Sequence, residues 1–195
     1  MKHLVQKQLA QSIATMQAVL ADETISDTLV TIAELTAQAM QSGNKLLVAG
    51  NGGSAADAQH LVAEFVVRLT NTRPALRAIA LTTDSSILTA CGNDFGFDQI
   101  FARQIEALGQ PGDLFLGIST SGNSPNILNA LEQARKANIT TIGFTGAGGG
   151  KMRDLSDHLI AIPSTVTMNI QESHLALEHI FCMLVEFFYF KSATA

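Results

Sequence analysis

The chain has 195 residues, 47% of them hydrophobic and only 15% charged, with a net charge of −5. This composition excludes a disordered chain, and the acidic balance argues against a nucleic-acid partner, which requires a basic surface. Two cysteines are too few for a disulfide framework or a structural zinc site. The sequence does not open on a signal peptide, and its longest apolar run, 180–190, is too short to span a bilayer. We expect one cytoplasmic domain with no membrane partner, and the scarcity of charge predicts a buried subunit interface.

The first 43 residues predict two amphipathic helices. Apolar side chains recur every three or four positions over 5–20 and again over 25–39. Thr24 to Asp27 resembles a capping box at the start of the second helix.

From residue 44 the pattern changes to short apolar runs, each followed by a turn and a helix. Nearly continuous apolar runs are typical of strands covered on both faces, and repeated strand–loop–helix units predict a parallel sheet with helices on both sides. The predicted strands are 45–49, 77–81, 114–118, 139–144 and 158–162. The predicted helices are 54–69, 85–91, 99–108, 124–137, a short one near 151, and a last one over about 170–190. We predict one domain over 1–195, with a helical extension at 1–43 and an α/β core at 44–195.

Two predicted loops are rich in glycine and hydroxyl groups. Residues 50–54 (Gly-Asn-Gly-Gly-Ser) follow the first strand, and 119–124 (Ser-Thr-Ser-Gly-Asn-Ser) follow the third. Ligands of open parallel sheets bind beyond these strand ends, where glycines allow close approach and helix N-termini attract anions. Each loop alone is equally explained as a helix start, with a capping box over 54–57 and an N-cap at Ser124 before proline. Two such loops at one edge of the sheet favour a phosphate site.

Acid–base candidates lie on two predicted helices. His60 and Glu64, four residues apart, share one helix face, although a solvated ion pair would show the same spacing. The last helix carries polar residues in an otherwise apolar segment, where a lone histidine is more often a core residue than a catalyst. These residues are Gln171, Glu172, His174, Glu178 and His179. Spacing alone assigns no roles to them.

Together these segments resemble the bacterial phosphoheptose isomerases of the sugar-isomerase (SIS) domain superfamily. The resemblance runs along essentially the whole chain. It rests on 50–54 with Asp57, His60 and Glu64, on 92–97, on 118–124, on 170–172 and on His179. It implies a three-layer α/β/α sandwich with a five-stranded parallel sheet of flavodoxin-like type, preceded by two helices and assembled as a homotetramer.

The resemblance also implies an activity, the conversion of sedoheptulose 7-phosphate to D-glycero-D-manno-heptose 7-phosphate, on the route to ADP-heptose and the lipopolysaccharide core. Glu64 would be the catalytic base and His179 the partner acid in an enediol mechanism. Asn93 and Asp94 would contact the sugar, and Glu64 and Gln171 would also bind the substrate. The other implied substrate contacts, chiefly to the phosphate, are Asn51, Gly52, Gly53, Ser119, Thr120, Ser121 and Ser124. Some members hold one Zn²⁺ per subunit through the equivalents of His60, Glu64, Gln171 and His179. If Glu64 bound the metal it would be a weaker base, so the two roles compete.

Two positions depart from the family pattern: Asn169 stands where arginine is usual, and Gly148 where some members have aspartate. Gln171 and His179 lie eight residues apart, which separates them by ~12 Å along one helix. From this separation we hypothesise that each active site borrows one of them from a neighbouring subunit.

Two alternatives remain, of which the first belongs to another functional class. One is a non-enzymatic SIS-domain regulator that binds the bacterial replication initiator, and the other is an isomerase of a different phosphosugar. Glu64 and His179 are both present, which favours the enzyme.

Overall fold

The computed structural model describes residues 1–191, so the predicted end of the domain at 195 lies outside the described residues. Two helices come first, α1 (Lys2–Ala21) and α2 (Glu23–Gln41). The strands are β1 (Leu46–Gly50), β2 (Ala78–Ala80), β3 (Leu114–Ser119), β4 (Thr140–Thr145) and β5 (His158–Ala161). The remaining helices are α3 (Gly53–Val66), α4 (Ser85–Asp94), α5 (Ala102–Leu108), α6 (Pro125–Lys136) and α7 (Thr167–Lys191), with 3-10 turns at Phe97–Gln99 and Gly150–Asp154.

The five strands form one parallel sheet in the order β2-β1-β3-β4-β5. Strands β1 and β3 are neighbours at its centre, and Gly50 at the end of β1 lies opposite Ile118. The chain order reverses between these two strands, which is where ligands of such sheets bind. The predicted fold class is confirmed, and both glycine- and serine-rich loops start at this point.

Alternate residues of the central strands β1 and β3 face two separate apolar cores. On one face, Leu46 and Val48 of β1 pack in a cluster with residues of α1, α2, α3 and α7. On the other, Leu47 and Ala49 pack with residues of α4, α5 and α6. The sheet is therefore covered by helices on both faces, which explains why its strands appear in the sequence as nearly continuous apolar runs.

Helix α7 is the central helix of its layer. Its segment Thr167–Phe190 is long and apolar enough to cross a membrane, the only such segment in the part of the chain that the structure describes. It packs against α1, α2 and α3, and Phe181, Cys182 and Val185 are fully buried. These contacts are those of a core helix of the domain.

Three predicted helix starts are wrong. The side chain of Asp22, not Thr24, caps α2 by accepting from the Thr24 N–H at 3.0 Å, because Asp22 has the extended backbone of an N-cap. Helix α3 begins at Gly53, with Gly52 at the N-cap and no side-chain cap, so the capping box over 54–57 does not form. Helix α7 starts at Thr167, three residues before the predicted start at about 170.

Two further boundaries were also predicted wrongly. The helix predicted over 99–108 starts later, at Ala102, because a 3-10 turn over Phe97–Gln99 precedes it. Helix α3 ends at Val66, three residues before the predicted end, and Val67 already has a non-helical backbone.

Candidate active site

The loop after β3 brings three serine hydroxyls together. Ser119 Oγ lies 2.9 Å from Ser124 Oγ and 3.4 Å from Ser121 Oγ. Ser124 occupies the N-cap of α6, but its hydroxyl makes no cap bond and turns towards Ser119. The first N–H groups of α6 therefore lie beside a group of hydroxyls, an arrangement suited to an anion.

The loop after β1 lies next to the serine loop and is tied to it. Asn51 and Asn126 exchange two amide hydrogen bonds, of 2.9 and 2.8 Å. Gly52 has a φ of +56°, a conformation that favours glycine. The glycine loop and the start of α6 are thus held together at the centre of the sheet. No local pattern predicts the role of Asn126, since the pairing joins residues 75 positions apart.

A cluster of three possible acid–base residues lies where α3 packs on α7. His60 Nε2 lies 2.8 Å from His179 Nε2 and 3.6 Å from Glu64 Oε1. One potential ligand atom from each of the three residues lies within 4.8 Å of the others. The His60 side chain is 44% exposed and that of Glu64 18%, so a small molecule can reach the cluster. Glu64 and His179 therefore face each other within a single chain.

Gln171 is on α7, and it contacts α3 closer to the N-terminal ends of both helices. Its Nε2 donates to both carboxylate oxygens of Asp57, at 3.2 and 3.0 Å, and its amide packs against Gly53. Burial raises the pKa of Asp57, while the hydrogen bond from Gln171 opposes that rise. Gln171 and His179 thus contact different residues of α3. Asp57 is part of the sequence motif, but its role as the partner of Gln171 was not predicted.

The other polar residues of α7 are buried away from solvent. His174 and Glu178 are 0% exposed. His174 Nε2 lies 3.1 Å from the carbonyl oxygen of Thr145, and burial lowers the pKa of this histidine to about 4. Neither carboxylate oxygen of Glu178 has a hydrogen-bond partner among the described residues. Burial, reinforced by the charge of Asp57, raises the pKa of Glu178 to about 8.

The remaining predicted residues fall into two places. Asn93 and Asp94 are exposed at the C-terminal end of α4, in the layer opposite α3 and α7, and Asn93 Nδ2 donates to the Asp94 carboxylate at 2.7 Å. The partly exposed Thr120 belongs to the serine loop.

The two departures from the family pattern have structural accounts. Asn169 is buried and accepts a hydrogen bond from Gln8 Nε2 of α1 at 2.9 Å. Gly148 has a φ of +82°, which suits glycine.

Comparison with known proteins agrees with this arrangement. The family model for the SIS domain matches residues 9–146. A phosphoheptose isomerase of Aneurinibacillus thermoaerophilus is 50% identical over 186 residues, covering 95% of this chain and 94% of the relative. The chain therefore belongs to the SIS domain family, in its group of phosphoheptose isomerases.

Comparison with solved structures also finds phosphoheptose isomerases. The phosphoheptose isomerase of Neisseria gonorrhoeae superposes with a TM-score of 0.89 at 41% identity, covering 95% of this chain and 98% of that one. The enzyme of Francisella tularensis superposes with a TM-score of 0.90 at 35% identity, covering 94% and 96%.

Proposed function

We propose that the protein converts sedoheptulose 7-phosphate to D-glycero-D-manno-heptose 7-phosphate. The observation that carries the proposal is the meeting of Glu64, His60 and His179 between α3 and α7. It occurs in a chain about half identical to named phosphoheptose isomerases, and their name implies an enzyme that acts on a phosphosugar.

The chemistry of the proposal needs a carboxylate and an imidazole. Moving the carbonyl from C2 to C1 requires removal of a carbon-bound proton and its return to the neighbouring carbon through an enediol. Glu64 would carry that proton as the base, and His179 would exchange protons with the two oxygens.

The phosphate would bind at the two loops, about half the length of α3 away from the cluster. The proposed phosphate contacts are Asn51, Gly52, Gly53, Ser119, Thr120, Ser121 and Ser124, and the proposed sugar contacts are Asn93, Asp94, Glu64 and Gln171. From Gly53, seven residues of α3 lead to His60, which corresponds to ~10 Å along the helix axis. A sugar whose phosphate is on C7 and whose carbonyl is on C2 can place its charge and its reacting carbons this far apart.

The donor set at the cluster also fits a zinc ion. Two imidazole nitrogens and a carboxylate are usual zinc ligands, and two nitrogens on one zinc stand about 3.3 Å apart, close to the 2.8 Å between His60 and His179. We propose that His60, Glu64 and His179 hold the metal. The family resemblance implies Gln171 as a fourth ligand, and in this structure its amide is bonded to Asp57. A bound zinc ion supplies Lewis-acid polarisation of the carbonyl.

The protein is further proposed to act as a cytoplasmic homotetramer of single-domain subunits, in the pathway to ADP-heptose and the lipopolysaccharide core. Leu4, Val5, Leu9 and Ile13 of α1 are each more than half exposed. An apolar stripe of this length on a surface helix supports burial against another subunit.

Incubation of the purified protein with sedoheptulose 7-phosphate tests the activity. Proton NMR should detect the aldose product, and E64Q should abolish its formation. The matched control is E106Q, because Glu106 is exposed on α5 in the opposite layer. Parallel samples with a chelator and with added zinc measure the metal requirement. A folded wild-type protein without turnover in any sample would contradict the proposal and favour a binding role.

Mixing of inactive E64Q and H179A chains tests the hypothesis of a shared site. The contacts within one chain favour Glu64 and His179 acting from the same subunit, in which case mixed assemblies stay inactive. Regained activity would instead support sharing between subunits.

A further inference from the structure

Arg73 closes the C-terminal end of the helix that carries Glu64. The last carbonyl groups of any helix lack partners within the helix. The last turn of α3 has no basic residue that could bind them, so their partners must come from elsewhere. The Arg73 guanidinium provides them: Nη2 donates to the carbonyl oxygen of Glu64 at 2.7 Å and Nη1 to that of Phe65 at 2.8 Å. A cation is also favoured there by the partial negative charge of a helix C-terminus.

The same guanidinium also binds α7. Arg73 Nε donates to Glu186 Oε1 at 2.7 Å, and the two side chains are only 5% and 9% exposed. Glu186 lies seven residues after His179, about two helical turns along α7. One side chain therefore joins the backbone of Glu64 to the helix of His179.

We propose that Arg73 is a positioning residue, which fixes the separation between the Glu64 carboxylate and the His179 imidazole. The inference rests on the proposed function, since it takes these two groups as the acid–base pair. Arginine suits the role because its planar fork donates in several fixed directions, whereas lysine offers a single compact charge.

A role in stability alone makes a different prediction. A pure helix cap would lower the unfolding temperature but leave the turnover of the folded enzyme unchanged. A positioning residue affects kcat, because misplacing a catalytic group by about 1 Å can cost up to ~100-fold in rate. KM should change little, since the proposed phosphate loops do not contact Arg73.

The test compares R73K, R73A and E186Q with the wild type at a temperature where circular dichroism shows each to be folded. We expect R73K to lower kcat by about 10- to 100-fold with KM within about threefold, and millimolar guanidinium to restore part of the activity of R73A. The control is D113N, which breaks the buried ion pair between Lys45, just before β1, and Asp113, just before β3, at the ends of these strands that lie opposite the glycine and serine loops. It should lower stability with kcat unchanged.

Wild-type kcat in folded R73K and E186Q would overturn the inference, as would an equal loss of kcat in D113N. If R73A does not fold, R73K and E186Q carry the test. If the wild type shows no turnover, the proposed function fails by itself. The inference is then judged by the imidazole NMR signals of His60 and His179, which should shift in R73K, and unmoved signals would overturn it.

Discussion

Glu178 should make the stability of this protein fall as the pH rises above neutrality. Its side chain is fully buried without a hydrogen-bond partner among the described residues, and its pKa is raised from 4.5 to about 8. Between these two values the folded protein binds a proton on Glu178 that the unfolded chain does not bind. The free energy of unfolding must then decrease with pH, by about 1.4 kcal/mol for each pH unit.

The full effect amounts to about 5 kcal/mol at pH 8 and above, a large share of the 5–15 kcal/mol typical of a domain. His174 acts in the opposite sense, because its pKa is lowered from 6.5 to about 4 and the unfolded chain binds the extra proton. The two contributions nearly cancel between pH 4.5 and 6.5, so the loss of stability from Glu178 should emerge above pH 6.5.

Urea unfolding of wild type and E178Q from pH 5 to 9 measures this effect. Glutamine keeps the shape of the side chain but cannot ionise, so the advantage of E178Q over the wild type should grow with pH and level off above pH 8. Chelator and a fixed protein concentration remove contributions from metal and assembly. The matched control is E172Q, since Glu172 is exposed on the same helix. A difference between E178Q and wild type that stays constant from pH 5 to 9 would refute the reasoning.

Three other changes test the site and the sheet. S124A should raise KM for the phosphorylated substrate about tenfold in steady-state assays, because a hydroxyl donor to the phosphate is lost. G53A should lower kcat/KM with an unchanged circular dichroism spectrum, because its Cβ would displace the amide of Gln171. Burial opposes ionisation of Asp113, but hydrogen bonds led by Lys45 outweigh it and lower its pKa. Urea titration of D113N at pH 7 should therefore show a loss of about 3–5 kcal/mol. The wild type should also lose stability as the pH falls below 3.8, because its lowered pKa stabilises the folded state only while Asp113 is ionised.

The architecture could be predicted because it depends on local patterns. Continuous apolar runs identified the five strands, and the loops after β1 and β3 were recognisable from glycine and serine content. Pairings between distant residues left no such pattern. The Asn51–Asn126 amide exchange and the reach of Arg73 back to α3 depend on how packed elements meet, which local sequence does not specify.

The polar residues of α7 show the same limit within a single helix. Five of them stood out in the sequence, but their spacing could not say which would face the site. The rotation of α7 against α3 and the sheet decides this, since it buries His174 and Glu178 completely and leaves His179 beside His60.

The contacts between α3 and α7 explain why the reactive cluster lies where it does. Among the described residues, three polar contacts join α3 and the segment after it to α7. Asp57 bonds to Gln171 near the N-terminal ends of the two helices, and His60 contacts His179 in the middle. Arg73, beyond the end of α3, bonds to Glu186. Asp57, Arg73 and Glu186 at the two outer links are nearly buried, whereas the His60 side chain in the middle is 44% exposed. Buried links resist separation of the helices, because breaking one leaves a desolvated charge unpaired. The exposed link is therefore a place where a ligand can reach ionisable groups whose positions are fixed on both sides.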